Sequence, residues 1–295
     1  MNYNIYEQDG KVIVEGLKHF EPKNIFECGQ CFRWKLEEDD SYTIVAFGKV
    51  LNVAKQDEKI LFSNTTIDDF KNIWHDYFDL DRDYGEIIET LSHDETLKQA
   101  TEFGSGIRIL NQDEWEMLVS FITSANNRIP MIQKAIMLLS EHYGEFIEEY
   151  RGVKYYSFPK PESLNGLTVE DLSGCKTGFR AKYIISAAEI VANKEIDIYA
   201  LKNISTEMAR KELMRFSGVG PKVSDCIMLF SMGKQDAFPI DVWVKRVMEH
   251  FYLDEDTKLK DIQTYADEKF GSLAGFAQQY LFYYARELGI GKKKK

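Results

Sequence analysis

The hydrophobic pattern of this chain changes period once, and that single change narrows the folds open to it. Up to about residue 63 the apolar residues fall in short β-branched and aromatic runs: Tyr3 to Glu7, Lys11 to Glu15, Cys31 to Lys35, Tyr42 to Phe47, Val50 to Ala54 and Lys59 to Phe62. Asp-Gly, Asp-Asp-Ser, Gly-Lys and Gln-Asp-Glu turns separate them, which is the pattern of strands joined by tight connections. Connections this short hold no crossover helix, so the strands must pair antiparallel. From about Ile67 onward the spacing is helical. It predicts helices at Asp68 to Tyr77, Tyr84 to Leu91, Glu95 to Phe103, Asp113 to Ser124, Pro130 to His142, Arg180 to Asn193, Thr206 to Phe216, Pro221 to Met232, Val242 to Phe251, Ile262 to Phe270 and Phe276 to Leu288. Strands followed by helices predict an α+β fold. An antiparallel β-rich domain over residues 1–78 is expected to precede an all-α domain over 79–295, the boundary lying between NTTIDDF and FDLDRDY.

Composition narrows the class. A chain of 295 residues with 44% hydrophobic and 13% aromatic content has ample material for packed cores. No apolar run reaches the roughly 18 to 20 residues of a membrane span. The start MNYNIYEQDG has neither a basic segment nor an apolar h-region, so a cytoplasmic protein is expected. The four cysteines, Cys28, Cys31, Cys175 and Cys226, are too few and too scattered for a disulfide framework. The Cys28-x-x-Cys31 pair lacks the clustered histidines or cysteines that zinc requires, so no metal is expected. A net charge of −11 argues against a protein that holds nucleic acid through a general basic field. Local positive charge is still available from Arg128, Lys134, Arg180, Lys182, Lys222, Lys245 and Arg246, and the tail Lys292 to Lys295 reads as solvated.

The stretch with the clearest chemistry is Leu213 to Asp241, LMRFSGVGPKVSDCIMLFSMGKQDAFPID. It reads as a helix ending at Phe216, a tight Gly218-Val219-Gly220 turn, and a second helix opened by Pro221. Glycines in the turn permit φ > 0 and close approach of a partner, and proline is tolerated at a first helical position. Free N–H groups beside a helix N-terminus make an anion site, and phosphate is the obvious anion. Lys222 lies just inside the second helix, and Asp241 stands before the helix that begins at Val242. An amine and a carboxylate beside a phosphate clamp suit nucleophilic attack on a sugar carbon. Taken one at a time, the same residues are also a common turn, a solvated lysine and an N-cap.

LMRFSGVGPKVSDC followed by FPIDV resembles the helix-hairpin-helix and Gly/Pro-Asp signature of the base-excision DNA glycosylase superfamily. Members with a lysine at the position of Lys222 both excise a base and cleave the abasic site. The segment Gly29-Gln30-Cys31-Phe32-Arg33-Trp34 closely resembles that of eukaryotic-type 8-oxoguanine DNA glycosylases, which carry a TBP-like antiparallel sheet before the helical domain. In that family the glycine carbonyl accepts the proton that oxidised guanine carries on N7 and guanine lacks, and the match gives this role to Gly29. Without the resemblance, Gly29 is only a turn or bulge at a strand start.

The same resemblance assigns further residues. Lys222 is the nucleophile and Asp241 stabilises charge on the sugar. Gln278 contacts the Watson–Crick edge of the flipped base and Phe282 stacks on it, whereas pattern alone places Gln278 in solvent and Phe282 in the core. Cys226 supplies the opposite face of the base and an electrostatic partner for the amine. Asn126, in Ser124-Ala125-Asn126-Asn127-Arg128, fills the gap left by the base, and Phe179 and Arg180 meet the opposite base. Gly218, Val219 and Gly220 bind the backbone, with Trp243 nearby. Two departures stand out. Met131 occupies the place of an arginine that reads cytosine opposite the lesion, and methionine cannot make that bidentate contact. Trp243 replaces the family's usual histidine.

The resemblance thus implies a bifunctional DNA N-glycosylase and abasic-site lyase. It would act on duplex DNA containing oxidised guanine, as a monomer and with no cofactor. Two alternatives stay open at this point: a glycosylase for alkylated purines, and a non-catalytic helix-hairpin-helix DNA-binding module, the latter favoured only by the acidic charge.

Overall fold

The computed structural model describes residues 3 to 290, so the lysine tail lies outside the described residues. Six strands form one antiparallel sheet: β1 (Asn4–Gln8), β2 (Lys11–Glu15), β3 (Trp34–Leu36), β4 (Tyr42–Ala46), β5 (Lys49–Gln56) and β6 (Lys59–Ser63), in the spatial order β1-β2-β6-β5-β4-β3. Two of the hairpins turn through residue pairs that both have positive φ, Asp9-Gly10 and Phe47-Gly48, the backbone that matches the twist of paired strands. The chain leaves β2 for the far edge of the sheet, which keeps a place beside β2 for β6. There Val12 opposes Phe62 and Val14 opposes Ile60.

The crossing corrects one expectation. It contains a short helix, Pro22–Glu27, that buries Ile25 and Phe26, and the strand expected from Cys31 begins only at Trp34. Phe20, Phe26, Phe62, Phe70 and Phe78 form one cluster of rings under the sheet, with centroids 4.8 to 6.1 Å apart in the contacting pairs. Residues Ile67 to Tyr77 form one helical stretch that widens between Phe70 and Trp74 and closes this core with three aromatic side chains, Phe70, Trp74 and Tyr77.

The helical half follows the predicted spacing closely, with Tyr84–Leu91, Glu95–Phe103 and Val242–Phe251 at the expected bounds. It is not purely helical, however. A hairpin, β7 (Phe146–Tyr150) and β8 (Val153–Tyr156), interrupts it and reaches back to the sheet, where Arg151 pairs with Asp39 and Asn64 bonds Glu148. The helix expected to run to Phe216 is Thr206–Leu213 and stops a turn early. Glu114–Ser124, buried along nearly its whole length, is the central rod. Its Phe121 stacks on Phe230 of Pro221–Ser231 at 5.6 Å.

The two cores meet at residues 28–33. Cys28 and Phe32 pack into the helical core while Cys31 packs under the sheet. Gln30 is fully buried between them. Its amide nitrogen donates to the carbonyls of Ile25 and Arg108, its amide oxygen accepts from the N–H of Leu110, and its own carbonyl accepts from the Gln112 side chain. Next to it Arg33 pairs with Glu116 at 3.3 Å and donates to the Tyr156 carbonyl, tying the sheet edge, the central helix and the β7–β8 hairpin together.

Burial pushes the Glu116 carboxyl up to about 7, against the opposing pull of Arg33. A carboxyl raised on folding contributes stability that is complete below its unfolded pKa and is lost as pH rises through about 7. Arg33→Ala would leave the carboxylate buried and unpaired. We expect a loss of about 3–5 kcal/mol at pH 8.5, the scale for breaking a buried pair, and a clearly smaller loss at pH 5.5, where Glu116 carries a proton. Denaturant unfolding at the two pH values measures both; equal losses would contradict the assignment.

Candidate active site and DNA-facing cleft

The hairpin builds the site's floor. Gly218 has φ +85, and a Cβ there would sit 2.9 Å from the Tyr183 ring, so the position excludes every side chain twice over. Gly220 has an extended backbone and open space where a Cβ would go, so flexibility is needed at one glycine of the pair. The Val219 N–H is already bonded to the Phe216 carbonyl and its side chain is buried, which corrects the expectation that this amide faces a phosphate. The N–H groups of Gly220, Lys222 and Val223 make no hydrogen bond among the described residues. They surround the N-terminus of an eleven-residue helix, so the anion site is formed by the helix's first turn.

Lys222 and Asp241 come together at a pocket of about 310 Å³ lined also by Gly29, Phe121, Cys226, Phe230, Pro239, Gln278, Gln279 and Phe282. The lysine amine lies 5.4 Å from the centre of the Phe121 ring. Asp241 is indeed an N-cap: its Oδ1 accepts from the N–H groups of Trp243 and Val244, both at 2.8 Å. The cap holds the carboxylate rigid beside the amine, so the ordinary role and the chemical one coincide. Burial raises the Asp241 carboxyl, while the Val244 N–H, the Lys222 charge, the Trp243 N–H and the Arg286 charge pull it back. Burial also pushes the Cys226 thiol up to about 11, again opposed by Lys222, so this cysteine is a neutral wall.

Pattern alone misplaced the two residues of the last helix. Gln278 is buried, and its amide oxygen has no partner. An orphaned buried acceptor costs about 1–3 kcal/mol, which is reason to look for a ligand that fills it. Phe282 is only half-buried and lines the pocket instead of filling the core. Gly29, at φ +89, lies against the Phe282 ring edge and the Arg286 guanidinium. Phe121, Phe230, Gln279 and Arg286 were not singled out from sequence. Arg286 alone had a legible signal, since it continues the i, i+4 face of Gln278 and Phe282.

The pocket opens into a cleft of about 1950 Å³ that shares Gly29, Phe121, Lys222, Asp241 and Phe282 with it and adds the Ser124 to Ile129 turn, Met131, Trp243 and Arg286. Asn126 stands at φ +51, a conformation asparagine tolerates better than most. It is exposed on the cleft wall. Arg180 is buried and spends its guanidinium on the carbonyls of Ala125 and Asn126, with the exposed Phe179 ring 4.4 Å away. In this conformation Arg180 shapes the Asn126 turn and leaves Phe179 as the projecting group. Met131 is exposed in the cleft. Among the described residues no group of histidine, cysteine and acidic side chains could hold a metal ion, and no helix is long and apolar enough to cross a membrane.

Comparison with known proteins places this geometry. Residues 119–272 match the model of HhH-GPD superfamily base excision DNA repair proteins, and residues 12–118 match the 8-oxoguanine DNA glycosylase N-terminal domain. A solved 8-oxoguanine glycosylase/lyase of Clostridium acetobutylicum, bound to duplex DNA with cytosine opposite 8-oxoguanine, is 50% identical with a TM-score of 0.95, covering 98% of this chain and all of the other. MBOgg1, solved with a low-affinity DNA ligand, is 54% identical with the same coverage and a TM-score of 0.95. A probable N-glycosylase/DNA lyase of Methanothermobacter thermautotrophicus is 31% identical over 233 residues, 72% of this chain and 74% of its own. The chain belongs to the HhH-GPD superfamily of base-excision DNA repair proteins, in the branch that carries the 8-oxoguanine DNA glycosylase N-terminal domain.

The hairpin geometry separates two substitutions that sequence treats alike. Gly218→Ala is expected to destabilise the protein by about 1–3 kcal/mol through backbone strain and the Tyr183 clash. Gly220→Ala should stay within about 0.5 kcal/mol, as surface substitutions do. Thermal unfolding of the two variants checks the contrast.

Proposed function

We propose that this protein removes 8-oxoguanine from duplex DNA and nicks the strand at the resulting abasic site. The observation that carries the reading is one pocket that brings together Gly29, Lys222, Asp241, Gln278 and Phe282 from both halves of a 295-residue chain. DNA would lie along the cleft, its phosphate held by the first-turn amides of the Pro221–Ser231 helix. The damaged nucleotide would be flipped out of the stack, as enzymes that act on a base require. Asn126 would enter the vacated space and Phe179 would wedge beside the opposite base.

In the pocket the base would stack on Phe282 with Cys226 as the other wall, and its Watson–Crick edge would satisfy the orphaned Gln278 oxygen. The Gly29 carbonyl accepts no hydrogen bond among the described residues. It would accept the N7–H of the oxidised base, where guanine offers only a lone pair. The unprotonated Lys222 amine would attack C1′ as the N-glycosidic bond breaks and its electrons leave with the base. Asp241 would stabilise the positive charge that develops on the sugar. The bound amine loses a proton and the C1′–O4′ bond opens to give a Schiff base, which permits loss of a C2′ proton and β-elimination of the 3′ phosphate; no step calls for a metal or redox group. The same reading takes the chain as a cytoplasmic monomer with its functional division near residue 78, the sheet half supplying Gly29 and the helical half the nucleophile.

Incubation with a duplex carrying one 8-oxoguanine opposite each base in turn, with and without borohydride, tests the proposal. A trapped covalent adduct and a nicked product are expected for the wild type. Both should be absent from Lys222→Gln, which keeps DNA binding. With Met131 in place of an arginine, excision opposite the four bases should be comparable. DNA binding without adduct or base release would instead favour a non-catalytic module.

The raised Asp241 carboxyl adds a pH test. Asp241→Asn should lower excision roughly 10²-fold or more near pH 7.5, the scale of losing one preorganised electrostatic group. The ratio of wild-type to variant rate should shrink as pH falls, starting above the ordinary aspartate value of about 3.9, because the wild-type carboxylate takes up a proton there. A ratio near one at pH 7.5 would remove Asp241 from the chemistry, and a large ratio that stays constant down to pH 4.5 would mean that its carboxyl is not raised.

A further inference from the structure

Two side chains of the Ala274–Leu288 helix that the pocket chemistry leaves unused reach across to one short loop of the sheet half. Gln279 is buried and donates to the Cys28 carbonyl at 3.1 Å. Arg286 donates from Nη2 to the Glu27 carbonyl at 2.7 Å and is steadied from outside by Glu287. On the other side of the loop, the Gln112 side chain holds the Gln30 carbonyl at 2.9 Å. Three of four successive carbonyls, those of Glu27, Cys28 and Gln30, are therefore each fixed by a side-chain donor. The fourth, Gly29, is the one with no hydrogen bond among the described residues.

The loop has little room to adjust. At Gly29 the backbone has φ +89, and the position of a Cβ lies 3.1 Å from Arg286 Nη1 and 3.2 Å from the Phe282 ring. The guanidinium lies 5.3 Å from the centre of that ring. Nη1 itself is buried without an acceptor. This is a poor arrangement for an arginine kept only to stabilise the helix, since an unmade buried hydrogen bond works against stability.

We propose that Gln279 and Arg286 form a carbonyl clamp: positioning residues that, with Gln112, leave Gly29 as the open acceptor among the carbonyls of Glu27 to Gln30 and thereby set selectivity for a base with a donor at N7. The proposal rests on the reading that the Gly29 carbonyl meets that donor. A single acceptor discriminates only if it cannot rotate away or be replaced by a neighbour. Withdrawing either clamp frees a competing carbonyl beside it.

The test compares two substrates that share the nucleophile and differ in needing base recognition: a duplex with 8-oxoguanine, and a duplex with a preformed abasic site. Arg286→Met and Gln279→Met each remove one donor while keeping the stem volume. In both, the ratio of 8-oxoguanine excision to abasic-site nicking, as kcat/KM, should fall about tenfold or more, the scale of removing one interaction made in the transition state. Arg286→Lys, which can still donate to the Glu27 carbonyl, should restore the ratio to within about threefold. Parallel loss of both activities would mean a purely structural role, and an unchanged ratio would mean no role; either overturns the clamp. If the wild type nicks abasic DNA yet leaves 8-oxoguanine in place, the underlying reading of Gly29 fails, and the clamp with it.

Discussion

The buried carboxamide of Gln30 joins the two halves of this molecule. It meets four hydrogen-bonding demands at once, three through the side chain and one through its own carbonyl, in a place with no access to water. In such surroundings an unmade hydrogen bond is costly, so the loop around it has essentially one conformation. That conformation sends Cys28 and Phe32 into the helical core and Cys31 under the sheet, and it places Gly29 at the mouth of a pocket whose other walls come from helices far away in sequence. The Arg33–Glu116 pair continues the same seam one step outward. A small rotation of sheet against helices would separate Gly29 from Lys222, so the pocket's geometry rests on this seam.

An acidic protein that acts on a polyanion has to solve an electrostatic problem. Here the net charge is −11, and the long-range field gives no attraction for DNA. The structure concentrates favourable electrostatics at one short surface instead. Unpaired backbone N–H groups of a helix's first turn carry partial positive charge without desolvating any ion, and Lys222 sits among them. Arg180, packed against the Asn126 turn, spends its donors on backbone carbonyls and so contributes shape more than charge. Binding of this kind depends on fitting the backbone at a few points, which suits a protein that must distort DNA to reach a base.

The elements themselves were largely legible in the sequence. Three helices and the strand Lys11–Glu15 fall at the bounds their spacing predicts, and four other strands of the sheet differ by only a residue or two at an end, because period and turn chemistry are local properties. The misses have physical causes. Pro22–Glu27 is too short for periodicity to register, and it is held by the burial of Ile25 and Phe26. The β7–β8 hairpin is stabilised by contacts to the sheet domain, Arg151 to Asp39 and Asn64 to Glu148, which no local pattern encodes. Trp34 begins its strand late because Gln30 draws the preceding residues into the seam.

For the site, the sequence by itself determined the chemistry available: a glycine turn ahead of a proline-opened helix, a lysine in its first turn, an aspartate placed to cap the next helix, and a glycine in a recognisable loop. Those features follow from residue type and spacing, which local physics reads directly. Only the tertiary structure decided that Gln278 is buried with an unfilled acceptor while Phe282 is half open, that Arg180 faces inward, and that Gln279 and Arg286 grip the loop carrying Gly29. Each of these depends on what a side chain meets far along the chain, from 55 residues away between Arg180 and Ala125 to 251 between Gln279 and Cys28, and burial and hydrogen-bond partners at that range are fixed by packing alone.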